Sequence, residues 1–304
     1  MAGGEGVIQR IKVMNTELFT LPECLRIGTS SFSEEDWVGP FYPENTQPRD
    51  FLKYYATRYD TVEIDATYYA IPSERTVDGW NQKTPNGFLF AAKFPRSIVH
   101  CGTGARPRGD LVLTREATYA DRDRFLNIMG RLGGKLGPLL IQFPYFNREA
   151  FSSGKKFLEL LDQFLADSPV EFRYAVEIRN KAWLKPEFTD ILRAHNCALA
   201  LTDMAWMPHA DELPDDVPLT TTDFSYIRLV GDRKQIEAIT DSWDKEVIDR
   251  TDSLKRWASV VSKIITKKIN TLLYINNHYA GHAPTTIAKF SKAFGDSPIL
   301  KQAE

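Results

Sequence analysis

The stretch RYAVEIRNKAW, residues 173–183, has the apolar, β-branched character of a buried strand, yet it carries Glu177 and Arg179 two positions apart. Residues i and i+2 of a strand point the same way, so Ala175, Glu177 and Arg179 share one face while Val176 and Ile178 take the other. Charge in a covered position is costly unless it is paired or used at a site. Whether the pair is a brace or working chemistry depends on what surrounds it.

Seven more runs of this kind lie along the chain: LRIGTS (25–30), TVEID (61–65), FLFAAK (88–93), PLLIQF (138–143), CALALTD (197–203), SYIRLV (225–230) and TLLYINN (271–277). Segments of helical period separate them, for example RDFLKYYATRY, GKKFLELLDQFLA and RTDSLKRWASVVSKII, which is the alternation of βαβ units around a parallel sheet. Only the gap between the sixth and seventh runs, MAWMPHADELPDDVPLTTTDF, lacks a clear helix and is expected to be a long loop with at most a short helical turn. No linker or repeat divides the chain. The expected architecture is a single (β/α)8 TIM-type barrel over residues 23–304, preceded by an N-terminal arm over residues 1–22.

The 304 residues are 43% hydrophobic and 26% charged with a formal net charge of −2, ordinary values for a globular chain that give no global reason to expect nucleic acid. Three widely spaced cysteines without a CxxC argue against a disulfide framework or zinc cluster and for a reducing compartment. No apolar run approaches the roughly 18 residues of a membrane span, and the opening residues have no signal-peptide core. The expected location is cytoplasmic, with no membrane partner; the sequence leaves the oligomeric state open.

In a barrel of this type, chemistry gathers at the carboxyl ends of the strands. There the runs carry Thr29 and Ser30, Glu63 and Asp65, Lys93, Gln142, Glu177 and Arg179, Asp203, Arg228, and Asn276, Asn277 and His278. Strand parity puts Glu63 with Asp65, Tyr226 with Arg228, and Tyr274 with Asn276 and His278 on inward faces. An ion-pair network of Glu63, Lys93, Glu177 and Arg179 that merely fills the interior is the competing reading. A polar residue at the end of every strand exceeds what packing requires.

The strings RIGTSSFSEEDWVGPFYP, TVEIDATYYAIPSERTVDGW, PNGFLFAAKFPRSIVH, PLLIQFPYF, YAVEIRNKAW, SYIRLVG and YINNHYAGHAP, in this order, resemble the YecE-like family, number seventy-two among the domains of unknown function. The resemblance implies a TIM-type barrel. It carries over at Glu63, Tyr69, Pro72, Lys93, Pro95, His100, Gln142, Glu177, Arg179, Trp183, Arg228, Gly231, Asn276, Asn277 and His278. Three positions depart from the family pattern: Asp65 stands for an Asn, and Asn180 and Val230 each stand for a His.

Lys93, Arg179 and Arg228, on the third, fifth and seventh strands, are the expected clamp for an anionic small molecule bearing phosphate or carboxylate. Glu177, Asp65, Asp203 and Glu63 are the candidate acids and bases, suited to a hydrolase, lyase or isomerase. Gln142, Asn276, Asn277, His278 and His100 would orient the ligand, and Tyr69 and Trp183 would wall it. No cofactor follows from the pattern, although the carboxylates with Asn276 or His278 could make an oxygen-rich Mg or Mn site. In HYAGH (278–282) the two His do not suit a zinc helix, because Pro284 follows and no Glu lies between them; His282 is expected in a loop, and His195 and His209 at the surface. Two further readings stay open. Nucleic acid could engage the basic stretch of Lys93, Arg96, Arg106 and Arg108 with His100, and the aromatics Phe32, Trp37, Phe41, Tyr42, Tyr68 and Tyr69, or the barrel could bind a ligand or partner without catalysis.

Overall fold

Each of the eight apolar runs forms a strand, and the helical segments between them form helices, so the alternation in the sequence is the alternation in space. The structure is a computed structural model that describes residues 9–13 and 17–297. A hairpin of β1 (Gln9–Val13) and β2 (Glu17–Leu21) pairs antiparallel, so the part of the expected arm that is described is a two-stranded sheet. The rest of the arm call, residues 1–8 and 14–16, lies outside the described residues.

The barrel strands are β3 (Leu25–Thr29), β4 (Thr61–Ile64), β5 (Leu89–Lys93), β6 (Leu136–Gln142), β7 (Tyr174–Glu177), β8 (Ala198–Asp203), β9 (Phe224–Leu229) and β10 (Asn270–Ile275). They lie in one sheet in the order β3-β10-β9-β8-β7-β6-β5-β4, with the last strand pairing parallel to the first. With interleaved helices this is a (β/α)8 TIM-type barrel. The loop between β8 and β9 contains only a short 3-10 turn, Ala210–Glu212, as its Pro- and Asp-rich sequence predicts.

The chain falls into two compact units. One takes in the residues up to Val62, Asp203–Ala205 and the chain from Ile227 onward; the other takes in Glu63–Thr202 and Trp206–Tyr226.

In the first unit, Tyr55 joins β3 to β4. Its buried hydroxyl accepts from Thr29 N at 2.9 Å and donates to Thr61 O at 3.1 Å. Burial raises this phenol well above its ordinary pKa, so it stays a donor. Gly28 permits the close approach of the two strands, since a Cβ there would lie 2.2 Å from Thr61 O. One layer of the interior is the 2.7 Å contact between Thr61 Oγ1 and the Tyr274 hydroxyl. Gly231 (φ +76°) closes the turn after β9, where any side chain would meet His278 O at 2.4 Å.

In the second unit, β6 and β7 pair with Gln142 opposite Glu177 and Leu140 opposite Ala175, and Lys93 of β5 is opposite Leu140. Paired residues of parallel strands project from the same side, so Lys93, Gln142 and Glu177 share a face. Phe94, Phe125, Phe164 and Tyr174 form edge-on and tilted ring contacts, and all four are buried.

Candidate functional site at the strand ends

The site in the second unit is built on Glu63, which is 0% exposed at the end of β4. Its Oε2 accepts a 2.7 Å hydrogen bond from the Tyr226 hydroxyl on β9, and its Oε1 lies 3.8 Å from Lys93 Nζ on β5. Strands β4 and β9 are not neighbours in the sheet, so the bond to Tyr226 spans the barrel interior. Lys93 is held by its backbone: Thr67 Oγ1 donates to Lys93 O at 2.8 Å and accepts from Lys93 N at 3.1 Å, tying the turn after β4 to the end of β5. A carboxylate this deep needs such partners, because an isolated charge there would cost several kcal/mol (roughly, by continuum arguments).

Glu177 is equally buried, and its Oε1 accepts from Arg179 Nε at 3.1 Å. The pair expected from the sequence is formed, with the acid buried and the Arg179 side chain 23% exposed. Only Nε is engaged; the terminal nitrogens of Arg179 make no hydrogen bond among the described residues. Gln142 is buried beside Glu177 by register. Tyr68, half-buried after β4, has a phenol pKa raised by burial, with Arg96 and Arg179 nearby pulling the other way. Tyr69 is 73% exposed and packs edge-on to Tyr68, so it stands at the surface.

Arg96, half-buried on the short helix Arg96–Val99, donates through one terminal nitrogen to Gly104 O, while its Nε is buried without a hydrogen-bond partner. His100 is buried beside it and accepts from Gly102 N at 3.2 Å. Burial, with the Arg96 charge behind it, lowers the His100 pKa. Trp183 stacks on Phe157 at 4.8 Å and on Phe146 at 6.1 Å, within an aromatic cluster that includes Phe151. Asn180, where the family pattern has His, forms a clip with Phe146: its Oδ1 accepts from Phe146 N at 2.9 Å and its Nδ2 donates to Phe146 O at 2.8 Å. Asp65 is half-buried.

The first unit carries the remaining candidates. Arg228, two residues beyond Tyr226 on β9, is 1% exposed. Asp203 belongs to a different cluster, its Oδ2 accepting from Ser253 Oγ (2.7 Å), Trp257 Nε1 (2.7 Å) and Tyr279 hydroxyl (2.8 Å). Three donors on one oxygen make it a brace between β8 and the helix Thr251–Ile265. Asn276 Oδ1 accepts from His278 N at 2.9 Å and lies 2.6 Å from His278 Nδ1; His278 Nε2 is 3.3 Å from Glu237 Oε1. Asn277 Oδ1 accepts from Ala283 N at 2.9 Å, so its amide caps the chain turn rather than facing open space.

His282 lies in the loop expected of it, but buried, and His209 is buried where surface exposure is expected. His282 is 1% exposed, and caps the helix Ala283–Gly295 by accepting from Thr285 N. His209 is 8% exposed, and caps the 3-10 turn of the long loop. Both side chains can accept a backbone N–H as Asn or Ser would at a cap, which a lone His in a polar loop does not announce. His278 and His282 do stand on separate elements, divided by Gly281.

Tyr226 was not among the expected site residues, although parity puts it on the same face as Arg228. In the sequence Tyr68 and Arg96 stand out only as a loop aromatic and a loop charge. Of the aromatics considered for base stacking, Trp37, Phe41 and Tyr42 are buried in a cluster with Tyr54, Tyr55 and Tyr59, leaving Phe32 and Tyr68 half-buried and Tyr69 exposed. Arg108 pairs with Asp110. Among the described residues no group of three or more His, Cys, Asp or Glu is placed to hold a metal ion, and no helix is long and apolar enough to cross a membrane. Cys24, Cys101 and Cys197 are all free thiols.

Fold and site together define a TIM-type barrel protein with charged pairs at its strand ends. The model of the family described as "Protein of unknown function DUF72" matches residues 26–303, and the chain belongs to that family. The UPF0759 protein YecE of Escherichia coli (strain K12) is 33% identical over 129 residues, 42% of this chain and 41% of YecE. The UPF0759 protein YunF of Bacillus subtilis (strain 168) is 26% identical over 163 residues, 53% of each chain. These matches thus span about half or less of either relative. The crystal structure of a DUF72 family protein (TM1631) from Thermotoga maritima MSB8 is similar with a TM-score of 0.69 at 29% identity, covering 90% of this chain and 99% of that one. That of a DUF72 family protein (EF0366) from Enterococcus faecalis V583, at 20% identity and a TM-score of 0.58 over 89% of this chain and 95% of that one, bears on the fold alone.

Proposed function

We propose that the protein is an enzyme that binds a small anionic molecule at the ends of β4 to β7 and moves a proton within it. The observation that carries this reading is Arg179, whose Nε is anchored on buried Glu177 while its terminal nitrogens have no hydrogen-bond partner among the described residues. A guanidinium held at one edge presents its other edge as a ready fork for phosphate or carboxylate. Lys93 and Gln142 lie on the same sheet face. Glu63 is the proton-handling group, with Tyr226 as the hydroxyl that can relay its proton and Lys93 offsetting its charge.

The test is turnover. Purified protein is incubated with a panel of phosphorylated and carboxylic small molecules, with short single-stranded DNA as a separate arm, and products are followed by mass spectrometry. Product with a small anion that disappears in Glu63→Gln, while ligand binding is kept, supports the reading. Tight binding without product from any member would make this a non-catalytic binding protein, and product from DNA alone would move it to nucleic-acid processing.

A further inference from the structure

The strand-end groups of the second unit form a run across four adjacent strands: Arg179 after β7, Gln142 on β6, Lys93 and Arg96 at β5, and Tyr68 after β4. Thr67 fixes the start of this run by bonding both Lys93 N and Lys93 O, which holds the neighbouring Tyr68 at the end of β5. Two cations in the run have unused donors. Arg179 engages only Nε. Arg96 has no carboxylate partner among the described residues, and its buried Nε has no acceptor. Buried donors without acceptors are rare in folded proteins and call for an explanation.

We propose that Arg179, Arg96 and Tyr68 form a subsite for a tetrahedral oxyanion, the phosphate group of a phosphomonoester. The proposal rests on the anion-binding reading above and narrows it. The two guanidinium groups come from strands separated by β6, so their donors approach from different directions. A planar carboxylate is satisfied by one fork in its own plane, whereas a tetrahedral group offers acceptor oxygens to several directions at once. The Tyr68 hydroxyl supplies a neutral third donor. Both arginines act electrostatically on that phenol, so both lie near it.

The experiment is calorimetric titration of the full chain with inorganic phosphate, methyl phosphate and acetate, on wild type, Arg96→Gln, Tyr68→Phe, Arg179→Gln and Arg106→Gln. Arg106 is an exposed arginine of the same loop and controls for diffuse charge. The expected result is saturable one-to-one binding of methyl phosphate, with acetate weaker by about tenfold or more. Arg96→Gln is expected to lose about tenfold, the equivalent of one charge-assisted hydrogen bond, while Arg106→Gln loses nothing. Free phosphate binding as tightly as methyl phosphate would identify an inorganic phosphate site of the same chemistry, and would contradict the monoester assignment. Acetate binding as tightly as phosphate, or affinity that depends on Arg179 but not on Arg96 and Tyr68, would overturn the subsite while leaving the anion-binding reading intact. No binding of any anion would overturn both. Unfolding midpoints of the unliganded variants separate lost binding from lost fold, with Tyr68→Phe as the conservative variant.

Discussion

The Tyr226 hydroxyl donates to Glu63 Oε2 at 2.7 Å, joining β9 to β4 through the barrel interior. Neither residue is exposed. The bond therefore sets both the stability of the interior and the chemistry open to Glu63.

Tyr226→Phe removes the hydroxyl that donates to Glu63 Oε2 and is expected to destabilise the protein by about 1–3 kcal/mol. Urea unfolding measures it. Combining Tyr226→Phe with Glu63→Gln should cost less than the sum of the single changes, because the two side chains are in contact; strictly additive costs would mean the bond contributes nothing.

Gly28→Ala places a Cβ 2.2 Å from Thr61 O, where β3 and β4 meet. Neither backbone can move without breaking the Tyr55 bridge, so the expected loss is about 3 kcal/mol, at the upper end for overpacking. An unchanged unfolding midpoint would show that the strands are not in this contact.

His282 gives the stability a pH dependence. Burial lowers its pKa from 6.5 to about 4, against a smaller opposing effect of Asp244. Between these values the unfolded chain binds the proton that the folded chain excludes, so stability is full above about pH 6.5 and falls as pH drops toward 4. The loss is on the order of 3 kcal/mol. His282→Asn keeps a capping side chain and should flatten this part of the profile, read from unfolding curves at several pH values.

Asp203→Ala removes the shared acceptor of Ser253, Trp257 and Tyr279 and should cost about 3 kcal/mol. A brace loses stability and activity together. Lost turnover at unchanged unfolding free energy would instead return Asp203 to the proton-handling set.

Period-two parity made part of the interior legible: Glu63 and Tyr226 meet through the barrel interior, on the faces where alternation puts them. The same rule bears on Asp203, which shares its strand face with Leu199 and Leu201 and meets the helix Thr251–Ile265. Its acidity at a strand end outweighed its parity. A tyrosine in an apolar strand looks like packing, and what distinguishes Tyr226 is a hydroxyl partner 163 positions away. The burial of His282 depends on Trp37, which meets its ring edge-on at 6.0 Å, a long-range contact that no local pattern encodes. Spacing likewise cannot reveal which donors of Arg179 and Arg96 are left unused.

The most direct test of the central claim is the thermal unfolding midpoint of wild type and Arg179→Gln with a panel of small anions in excess. A ligand that binds only the folded state adds about 2.7 kcal/mol at a hundredfold excess over its dissociation constant. The expected result is a raised midpoint with at least one phosphorylated small molecule in the wild type, and no rise in Arg179→Gln. A midpoint that no anion moves, or a rise that survives in Arg179→Gln, would contradict it.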